Sequence, residues 1–271
     1  MNTGLAQKVV VVTGATANIG RAIALAFAEE GVRLALVGRD RVKGEEITQL
    51  ALRAGAAVAQ FYAADLTDRK AVSALLSEVG KSLGPIDVLV NNVGGNTGKF
   101  GLFADSDPTE WQADIDLNLK TTLYCTHAAL PHMLARKSGR VINIGSTAGD
   151  VGDYMLCVYS AAKGAVHAFT RALALEVGEQ NITVNCVAPY ATFPEDPSHV
   201  SSGSRFHPEG LFAHDEMLAK PELKHKLLRT GLLPRNFAKP SEIAGAVIYL
   251  ASDSAAFVTG TVHCVDGGAL L

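Results

Sequence analysis

The fold is decided by the stretch Lys8-Val9-Val10-Val11-Val12-Thr13-Gly14-Ala15-Thr16-Ala17-Asn18-Ile19-Gly20. Its first part is a β-branched, mainly apolar run that predicts a strand, and the amphipathic pattern of Ile19–Glu30 predicts a helix. The small residues between the two let a backbone approach a pyrophosphate, and the helix N-terminus offers amide donors and positive potential. Because these small residues follow a strand and open a helix, the stretch predicts a nucleotide cradle in an α/β fold.

Five residues of the cradle are candidate cofactor contacts: Gly14, Thr16, Asn18, Ile19 and Gly20. Asn18 stands where a glycine is expected. Asn is among the few residues that tolerate left-handed backbone geometry, so it suits that place.

Strand-like and helical patterns alternate along the rest of the chain. The strand-like runs are Lys8–Val12, Arg33–Val37, Ala57–Tyr62, Ile86–Val90, Arg140–Ile144, Thr183–Val187 and Thr261–Val265. The helical stretches include Ile19–Glu30, Asp68–Leu83, Pro108–Leu134, Tyr159–Val177 and Ser241–Ala251. The strands are continuously apolar, as expected when both faces of a sheet are covered. The pattern predicts a single α/β domain over residues 1–271, a Rossmann-like, doubly wound, seven-stranded parallel sheet with helices on both faces.

Composition and charge exclude several classes of function. The chain has 271 residues, of which 48% are hydrophobic, and a formal net charge of -3. A net negative charge does not indicate a basic surface that would bind nucleic acid or an anionic membrane. No apolar run reaches the ~18 to 20 residues of a membrane span, and the N-terminus enters a strand too soon to leave room for a signal peptide. We therefore expect a cytoplasmic protein that binds neither nucleic acid nor membrane.

The cysteines are widely spaced and embedded in apolar sequence: Cys125, Cys157, Cys186 and Cys264. This spacing indicates reduced core thiols, with no disulfide framework and no metal site. Cys157 lies beside catalytic-looking sequence, but its neighbours Leu156 and Val158 are apolar. We interpret it as a residue of the core or of a pocket wall.

Residues 190–240 break the alternation, because no strand is predicted there and polar turn formers crowd Pro194–Pro208. An apolar pattern follows, formed by Leu211, Phe212, Met217, Leu218, Leu223, Leu227 and Leu228. Long excursions in compact domains are usually functional or disordered. We interpret this segment as a substrate-binding loop with a helical lid; a subunit contact or a mobile surface insertion is the alternative.

The end of the second strand bears on the choice of cofactor. A carboxylate there would bind the ribose 2′-hydroxyl of NAD and repel a 2′-phosphate. The sequence instead reads Val37-Gly38-Arg39-Asp40. Arg39 can pair with a phosphate through its planar fork, whereas Asp40 could form a salt bridge with Arg39 or Arg41. The sequence favours NADP(H), with NAD(H) as the alternative.

Two further loops follow strands, at the sheet edge where ligands bind. Asp65 and Leu66 follow the third strand, and Asp65 is placed to accept from an adenine amino group. Asn92 and Gly94 follow the fourth, where Asn92 can tie neighbouring strands together and Gly94 lets a ribose approach. Ordinary turn chemistry is the alternative for both loops.

Tyr159 and Lys163 stand four residues apart in a predicted helix, so both side chains lie on one face. A nearby cation favours the phenolate over the phenol. The pair therefore predicts a proton donor and acceptor that works near neutral pH.

Taken together, these motifs resemble the short-chain dehydrogenase/reductase family over nearly the whole chain. The resemblance rests on Thr13–Gly20, Asp65, Asn91–Gly94, Asn118, Ser146, Tyr159–Lys163, Asn185–Pro189 and Val265-Asp266-Gly267-Gly268. It implies that Tyr159 is the general acid/base, that Lys163 supports it and holds the nicotinamide ribose, and that Ser146 polarises the reacting oxygen. It further implies that Asn118 anchors a water in the proton relay. Tyr154 has no lysine four residues on, and we expect it to line the substrate pocket.

The sequence departs from the family pattern after Pro189. A glycine is usual at the next position, which is Tyr190 here, and a threonine that contacts the carboxamide is replaced by Pro194. Thr192 is a partial substitute for that threonine. Pro189 and Thr192 therefore complete the expected cofactor contacts, and Tyr190 joins Ser146, Tyr154 and Tyr159 as an expected substrate contact.

The resemblance implies an enzyme that interconverts a secondary alcohol and a ketone with NAD(P), and the apolar lid favours a hydrophobic or cyclic substrate. A 3-oxoacyl carrier-protein reductase is the nearest alternative, for which Lys220, Lys224, His225, Lys226 and Arg229 could meet an acidic partner. A nucleotide-binding sensor without catalysis is an alternative of another class. The family resemblance also implies a homotetramer or a homodimer.

Overall fold

A seven-stranded parallel sheet forms the centre of the structure, a computed structural model that describes residues 3–95, 101–194, 196–200, 226, 228–235 and 237–271. The strands are β1 Val9–Thr13, β2 Arg33–Gly38, β3 Val58–Ala63, β4 Val88–Asn91, β5 Gly139–Ile144, β6 Ile182–Pro189 and β7 Val262–Val265. Their order is β3-β2-β1-β4-β5-β6-β7, and all six pairings are parallel. The predicted sheet is confirmed, and each predicted strand end lies within two residues of the observed one.

Helices connect the strands and cover both faces of the sheet. They are α1 Asn18–Glu29, α2 Arg41–Ala54, α3 Arg69–Ser82, α4 Pro108–Ile115, α5 Thr121–Leu134, α6 Ala148–Val151, α7 Cys157–Val177 and α8 Pro240–Ala251. A π-helical turn, Asp116–Lys120, joins α4 to α5.

Two hydrophobic cores form because successive residues of a strand point to opposite faces of the sheet. On one face, Val10 and Val12 of β1 pack in a cluster with buried side chains of α1, α2 and α8. On the other face, Val9 and Val11 pack with buried side chains of α3, α5 and α7. This arrangement explains why the strands read as unbroken apolar runs.

The strand order reverses between β1 and β4, which are neighbours in the sheet. The chain leaves these two strands in opposite directions, so a crevice opens at their carboxyl ends. The loops that follow β1, β2, β4, β5 and β6 converge at this edge and carry the predicted site residues.

The predicted single helix Pro108–Leu134 is interrupted in the structure. At the π-helical turn, the Thr121 N–H donates to Asp116 O, five residues earlier. Asn118 Nδ2 donates to Asp114 O (3.0 Å), a carbonyl of the helical ladder, and so competes with its backbone bonds. The pattern of apolar residues does not reveal this side-chain competition.

The expectation of four core thiols is half correct. Cys125 and Cys186 are buried, and desolvation raises the pKa of each thiol to about 12. Cys157 and Cys264 are exposed, although all four are free, and Cys157 lines a small second cavity with Trp111 and Tyr159, in agreement with the pocket-wall interpretation. Cys157 is the first residue of α7, and Cys264 lies in β7, the last strand in the order of the described sheet. Apolar neighbours in sequence therefore do not predict burial at an element's start or at a sheet edge.

The predicted helical lid lies largely outside the described residues, as do all of its apolar residues except Leu228. In the described part of residues 190–240 there is no strand, but Thr192 and Ala238 form an isolated parallel bridge. Of the described helices, none combines the length and apolar composition that a membrane crossing requires.

Gly245 offers a test of the α8 boundaries. It lies exposed in the interior of the helix, and a methyl group there would meet nothing within 4 Å. Because glycine is a poor helix former, Gly245→Ala should raise the free energy of unfolding by about 0.5–1 kcal/mol, measured by urea denaturation.

Gly84 is the matched control, because its φ of +103° disfavours any side chain. Gly84→Ala should lower the free energy of unfolding by about 1 kcal/mol. Equal destabilisation by both substitutions would contradict the helix assignment at Gly245.

Candidate active site

A cleft of about 650 Å³ lies at the carboxyl edge of the sheet. Its walls hold nearly all of the predicted site residues: Gly14, Thr16, Asn18, Ile19, Gly20, Arg39, Asp65, Leu66, Asn92, Gly94, Ser146, Tyr159, Lys163, Pro189, Tyr190 and Thr192. Among the predicted residues, Asn118 and Tyr154 are not part of this wall. The structure therefore brings together groups that are up to 178 positions apart, counted from Gly14 to Thr192.

The glycine turn after β1 leaves room for a ligand next to the backbone. Gly14 has a φ of +65°, and a methyl group on Gly20 would lie 2.0 Å from Gly14 O. Asn18 has a φ of +44°, as its place in the turn predicted, and its buried Oδ1 has no hydrogen-bond partner among the described residues. A tight turn whose backbone N–H groups open a helix N-terminus fits a dinucleotide pyrophosphate, whereas the unpaired Asn18 Oδ1 is an acceptor that would meet a donor such as a hydroxyl.

Asn92 ties β4 to β1 at the floor of the cleft, as predicted. Its Nδ2 donates to Thr13 O (3.0 Å) and to Gly14 O (3.2 Å). Its backbone N–H donates to Thr13 Oγ1 (2.9 Å). The glycine turn is thus held by a side chain from the neighbouring strand.

Arg39 is exposed at the rim of the cleft, immediately after β2. Asp40 Oδ1 accepts from Lys43 N (3.1 Å) and so caps α2, which gives it a role other than a salt bridge with an arginine. Hydrogen bonds from the Thr67 backbone and side chain lower the pKa of Asp65, with a smaller contribution from the Arg39 charge. Both Asp65 bonds go to Oδ1, at 3.0 and 2.8 Å.

Lys163 is buried, with 3% of its surface exposed. Its Nζ donates to Ile144 O at the end of β5 (2.9 Å) and lies 5.9 Å from the centre of the Tyr159 ring. An ammonium has three N–H groups, so two remain for other acceptors. The predicted pairing of Tyr159 and Lys163 on one helix face is therefore observed, with the cation held on a strand-end carbonyl.

Asn118 lies fully buried behind Lys163, in the π-helical turn. Its Nδ2 donates to Gly95 O (2.7 Å) as well as to Asp114 O, and its Oδ1 accepts from Gly95 N (2.9 Å). A methyl group on Gly94 would lie 2.8 Å from Lys163 Nζ and 2.9 Å from Asn118 Oδ1. Gly94 therefore has to be glycine for the loop after β4 to reach this close to the lysine.

Ser146 stands two residues after β5 and is 8% exposed. Its Oγ accepts from Ala148 N (3.1 Å), so the hydroxyl proton stays available for an acceptor in the cleft. The β5–β6 ladder continues beyond the strands, since Thr147 N donates to Pro189 O (3.1 Å). Backbone bonds thus hold Ser146 at the cleft wall.

The structure describes the surroundings of two residues, Tyr190 and Tyr154, that the sequence predicts as substrate contacts. Tyr190 lines the cleft, but its hydroxyl accepts from Arg229 N (2.7 Å) and is therefore engaged. Tyr154 is absent from the described cleft wall, and the Lys226 ammonium lies 5.2 Å from its ring. The turn before α7 contains positive φ values at Gly152 and Met155 and presents Asp153, rather than Tyr154, to the cleft.

Asp153 lines the cleft, although sequence patterns did not single it out, and Arg229 is its ion-pair partner. The Arg229 guanidinium donates to Asp153 Oδ1 (2.7 Å) and to the Gly152 carbonyl, and it lies 5.7 Å from the Tyr190 ring. Thr192 Oγ1 donates to Tyr190 O (3.1 Å). The only sequence signal for this cluster was the unusual Tyr190 itself.

Comparisons with known proteins agree with this geometry. The model of the family described as short chain dehydrogenase matches residues 8–196. A second model, described as Enoyl-(Acyl carrier protein) reductase, matches residues 212–269. The first match alone covers more than half of the chain.

Individual relatives match along their whole length. The chain is 35% identical to 2-(S)-hydroxypropyl-CoM dehydrogenase 3 of Xanthobacter autotrophicus, with 99% of this chain and 98% of the relative covered. It is 33% identical to 2,3-dihydro-2,3-dihydroxybenzoate dehydrogenase of Bacillus subtilis, with the same two coverages.

A solved structure also superimposes on almost the entire fold. It is the 3-oxoacyl-[acyl-carrier protein] reductase from Brucella melitensis, with a TM-score of 0.80, 28% identity, and coverage of 97% of this chain and 91% of that one. The family models, the relatives and the fold agree. The chain therefore belongs to the short-chain dehydrogenase/reductase family of NAD(P)-using oxidoreductases.

Proposed function

We propose that this oxidoreductase interconverts a secondary alcohol and a ketone by hydride transfer. The observation that carries the proposal is the meeting of Ser146, Tyr159 and Lys163 at one cleft that also contains the glycine turn. A proton-handling group and a nucleotide cradle in one cleft are what such a reaction requires.

The nicotinamide cofactor, when bound, would supply or accept the hydride. The glycine turn with Asn18 would hold its pyrophosphate, and Asp65 with Leu66 would meet the adenine. Lys163 has N–H groups left for the nicotinamide ribose, because only one is needed by Ile144 O. Pro189 and Thr192 at the end of β6 would meet the carboxamide.

Charge develops on the substrate oxygen during the reaction, and the chain places two groups to stabilise it. Tyr159 exchanges its proton with that oxygen, and Ser146 donates a hydrogen bond to it. Asn118 already donates both of its N–H groups to carbonyls, and its Oδ1 accepts from Gly95 N, so the second lone pair of Oδ1 would accept from a water of the relay.

The choice of substrate follows from the apolar parts of the wall. Val93, Leu117 and Leu228 line the same cleft as Ser146, Tyr159 and Lys163. The name of the Bacillus subtilis relative specifies a cyclic substrate. Both observations support a hydrophobic or cyclic alcohol or ketone.

The neighbouring alternative is reduction of a 3-oxoacyl thioester on a carrier protein, which the Brucella melitensis structure's name favours. Of the basic residues that this role would use, Arg229 is paired with Asp153, and Lys226 lies over Tyr154. Lys220, Lys224 and His225 lie outside the described residues. Activity on acetoacetyl thioesters without activity on cyclic ketones would favour this alternative.

The alternative from another class, a sensor without catalysis, would need no working acid/base. All four groups of the family's catalytic set are present here, which supports an enzyme.

The assembly into a homotetramer or homodimer and the cytoplasmic location stay predictions. In the described residues, no group of three or more His, Cys, Asp or Glu side chains could hold a metal ion.

Replacing Tyr159 tests the proposed acid/base. Tyr159→Phe keeps the ring and removes the hydroxyl, so kcat for alcohol oxidation should fall by about 10²-fold or more. Cofactor affinity, measured by calorimetric titration, should change little. Tyr154→Phe is the matched control and should keep its turnover; undiminished turnover in Tyr159→Phe would refute the assigned role.

Arg39 tests the proposed preference for NADP(H). Arg39→Gln removes the guanidinium group that would bind the 2′-phosphate. The Kd for NADPH should therefore rise by about tenfold or more, while the Kd for NADH stays nearly constant. Arg41→Gln, an exposed arginine two residues on, is the control. A wild-type preference for NADH would overturn the argument from Gly38 and Arg39.

A further inference from the structure

A pair outside the roles above, the buried His167 and the exposed Asp150, joins α6 to α7. The His167 side chain is 2% exposed, and its Nδ1 lies 3.1 Å from Asp150 Oδ1. A carboxylate only accepts hydrogen bonds, so Nδ1 carries the proton and donates. His167 Nε2 is buried without a hydrogen-bond partner among the described residues, which fits a neutral ring.

The position of this pair in the fold links the three groups at the cleft. Asp150 lies in α6, four residues after Ser146, within the segment that leaves β5. His167 lies in α7, four residues after Lys163 and eight after Tyr159, so all three share one helix face. The pair therefore connects the segment that carries Ser146 to the helix that carries the other two.

The His167 ring also packs against the backbone on both sides of Ser146. A methyl group on Gly145 would lie 2.4 Å from His167 Nε2, and one on Gly149 would lie 2.8 Å from His167 Cε1. These approaches are too close for any side chain at either glycine. The segment from Gly145 to Gly149 thus packs against the imidazole, together with Cys186 Sγ at Gly145 and the α7 backbone at Gly149.

We infer that His167, oriented by Asp150, is a positioning residue that holds the Ser146 side chain in its place relative to Tyr159 and Lys163. This inference rests on the proposed function for its effect on turnover. The structural part of the inference, that the pair keeps the segment around Ser146 ordered, is independent of the proposed function. A shift of Ser146 would misdirect its hydrogen bond to the substrate oxygen, and such misplacement is costly in rate.

The charges around His167 set how the pair responds to acid. Burial lowers the pKa of His167 most, Asp150 opposes this, and Arg171 and Lys163 lower it further. Cys186 and Cys264 also border the pair, and the pKa of each thiol is raised, chiefly by burial. Below neutral pH, protonation would put a second buried cation beside Lys163.

The folded state therefore prefers the neutral form of His167. The stability that His167 contributes is complete above the unfolded pKa of about 6.5 and is lost as the pH falls below it. His167→Asn cannot titrate. The urea midpoints of wild type and His167→Asn should approach each other between pH 7 and pH 5. His132, whose pKa is also lowered by burial, is present in both proteins and cancels. A gap that widens toward acid pH would contradict the neutral ring.

Substitutions at Asp150 test the positioning role. Asp150→Ala removes the acceptor, and kcat should fall about tenfold while KM and the Kd for NADP⁺ change less than about twofold. Asp150→Asn keeps a carbonyl that accepts from Nδ1–H and should restore most of kcat. In a double-mutant cycle with His167→Phe, the two effects should be far from additive.

Thr170→Val is the matched control on the same helix. Thr170 is fully buried, and its Oγ1 accepts from Asn143 Nδ2 (2.9 Å), so the substitution breaks another tie between α7 and β5. It should lower Tm as Asp150→Ala does, but leave kcat within about twofold. An equal fall of kcat in Thr170→Val would overturn the inference, because the effect would then be general destabilisation.

Hydrogen–deuterium exchange separates this inference from the proposed function. The amides of Gly145, Thr147 and Gly149 donate to Val187 O, Pro189 O and Ser146 O in the native structure. Asp150→Ala should speed exchange in a peptide spanning these amides by about threefold or more, and Thr170→Val should not. Unchanged exchange in Asp150→Ala would overturn the inference. A wild-type protein without turnover of any alcohol or ketone, but with this exchange pattern, would contradict only the proposed function.

Discussion

The site depends on one buried hydrogen bond, from the Lys163 ammonium to the Ile144 carbonyl at the end of β5. A buried charge is costly unless it is hydrogen-bonded, so this bond fixes where α7 meets the sheet. Tyr159, one turn earlier, is thereby brought to the cleft, and Ser146 follows Ile144 by two residues. The close approach of Gly94 to the same ammonium shows that the loop after β4 is shaped around it as well.

The fold and most of the cleft could be predicted from the sequence because their causes are local. The left-handed backbone of Asn18 follows from its place in a glycine turn, and the apolar strands follow from a sheet covered on both faces. Asn92 binds the neighbouring turn because strand ends of a parallel sheet meet at one edge. For Asn18 and the strands, a residue type and its neighbours in sequence were sufficient, and for Asn92 the predicted parallel sheet supplied the contact.

The features of the site that the sequence did not reveal involve long-range contacts. Tyr154 lies away from the cleft wall because the turn before α7 presents Asp153 instead, and the partner of Asp153 is Arg229, 76 positions later. Asn118 in the π-helical turn bonds to Gly95, 23 positions away, a contact that the sequence pattern does not show. Tyr190 departs from the family pattern, and its hydroxyl binds the returning chain. The substrate side is therefore the part that sequence patterns describe least well.

The central claim is that this cleft transfers a hydride between a cofactor and a substrate carbon. The most direct measurement uses NADPH or NADH that carries deuterium in both positions at nicotinamide C4, with a cyclic ketone as substrate. The account predicts that the alcohol product carries one deuterium on its carbinol carbon, detected by mass spectrometry. A product that contains no deuterium from the cofactor would contradict it.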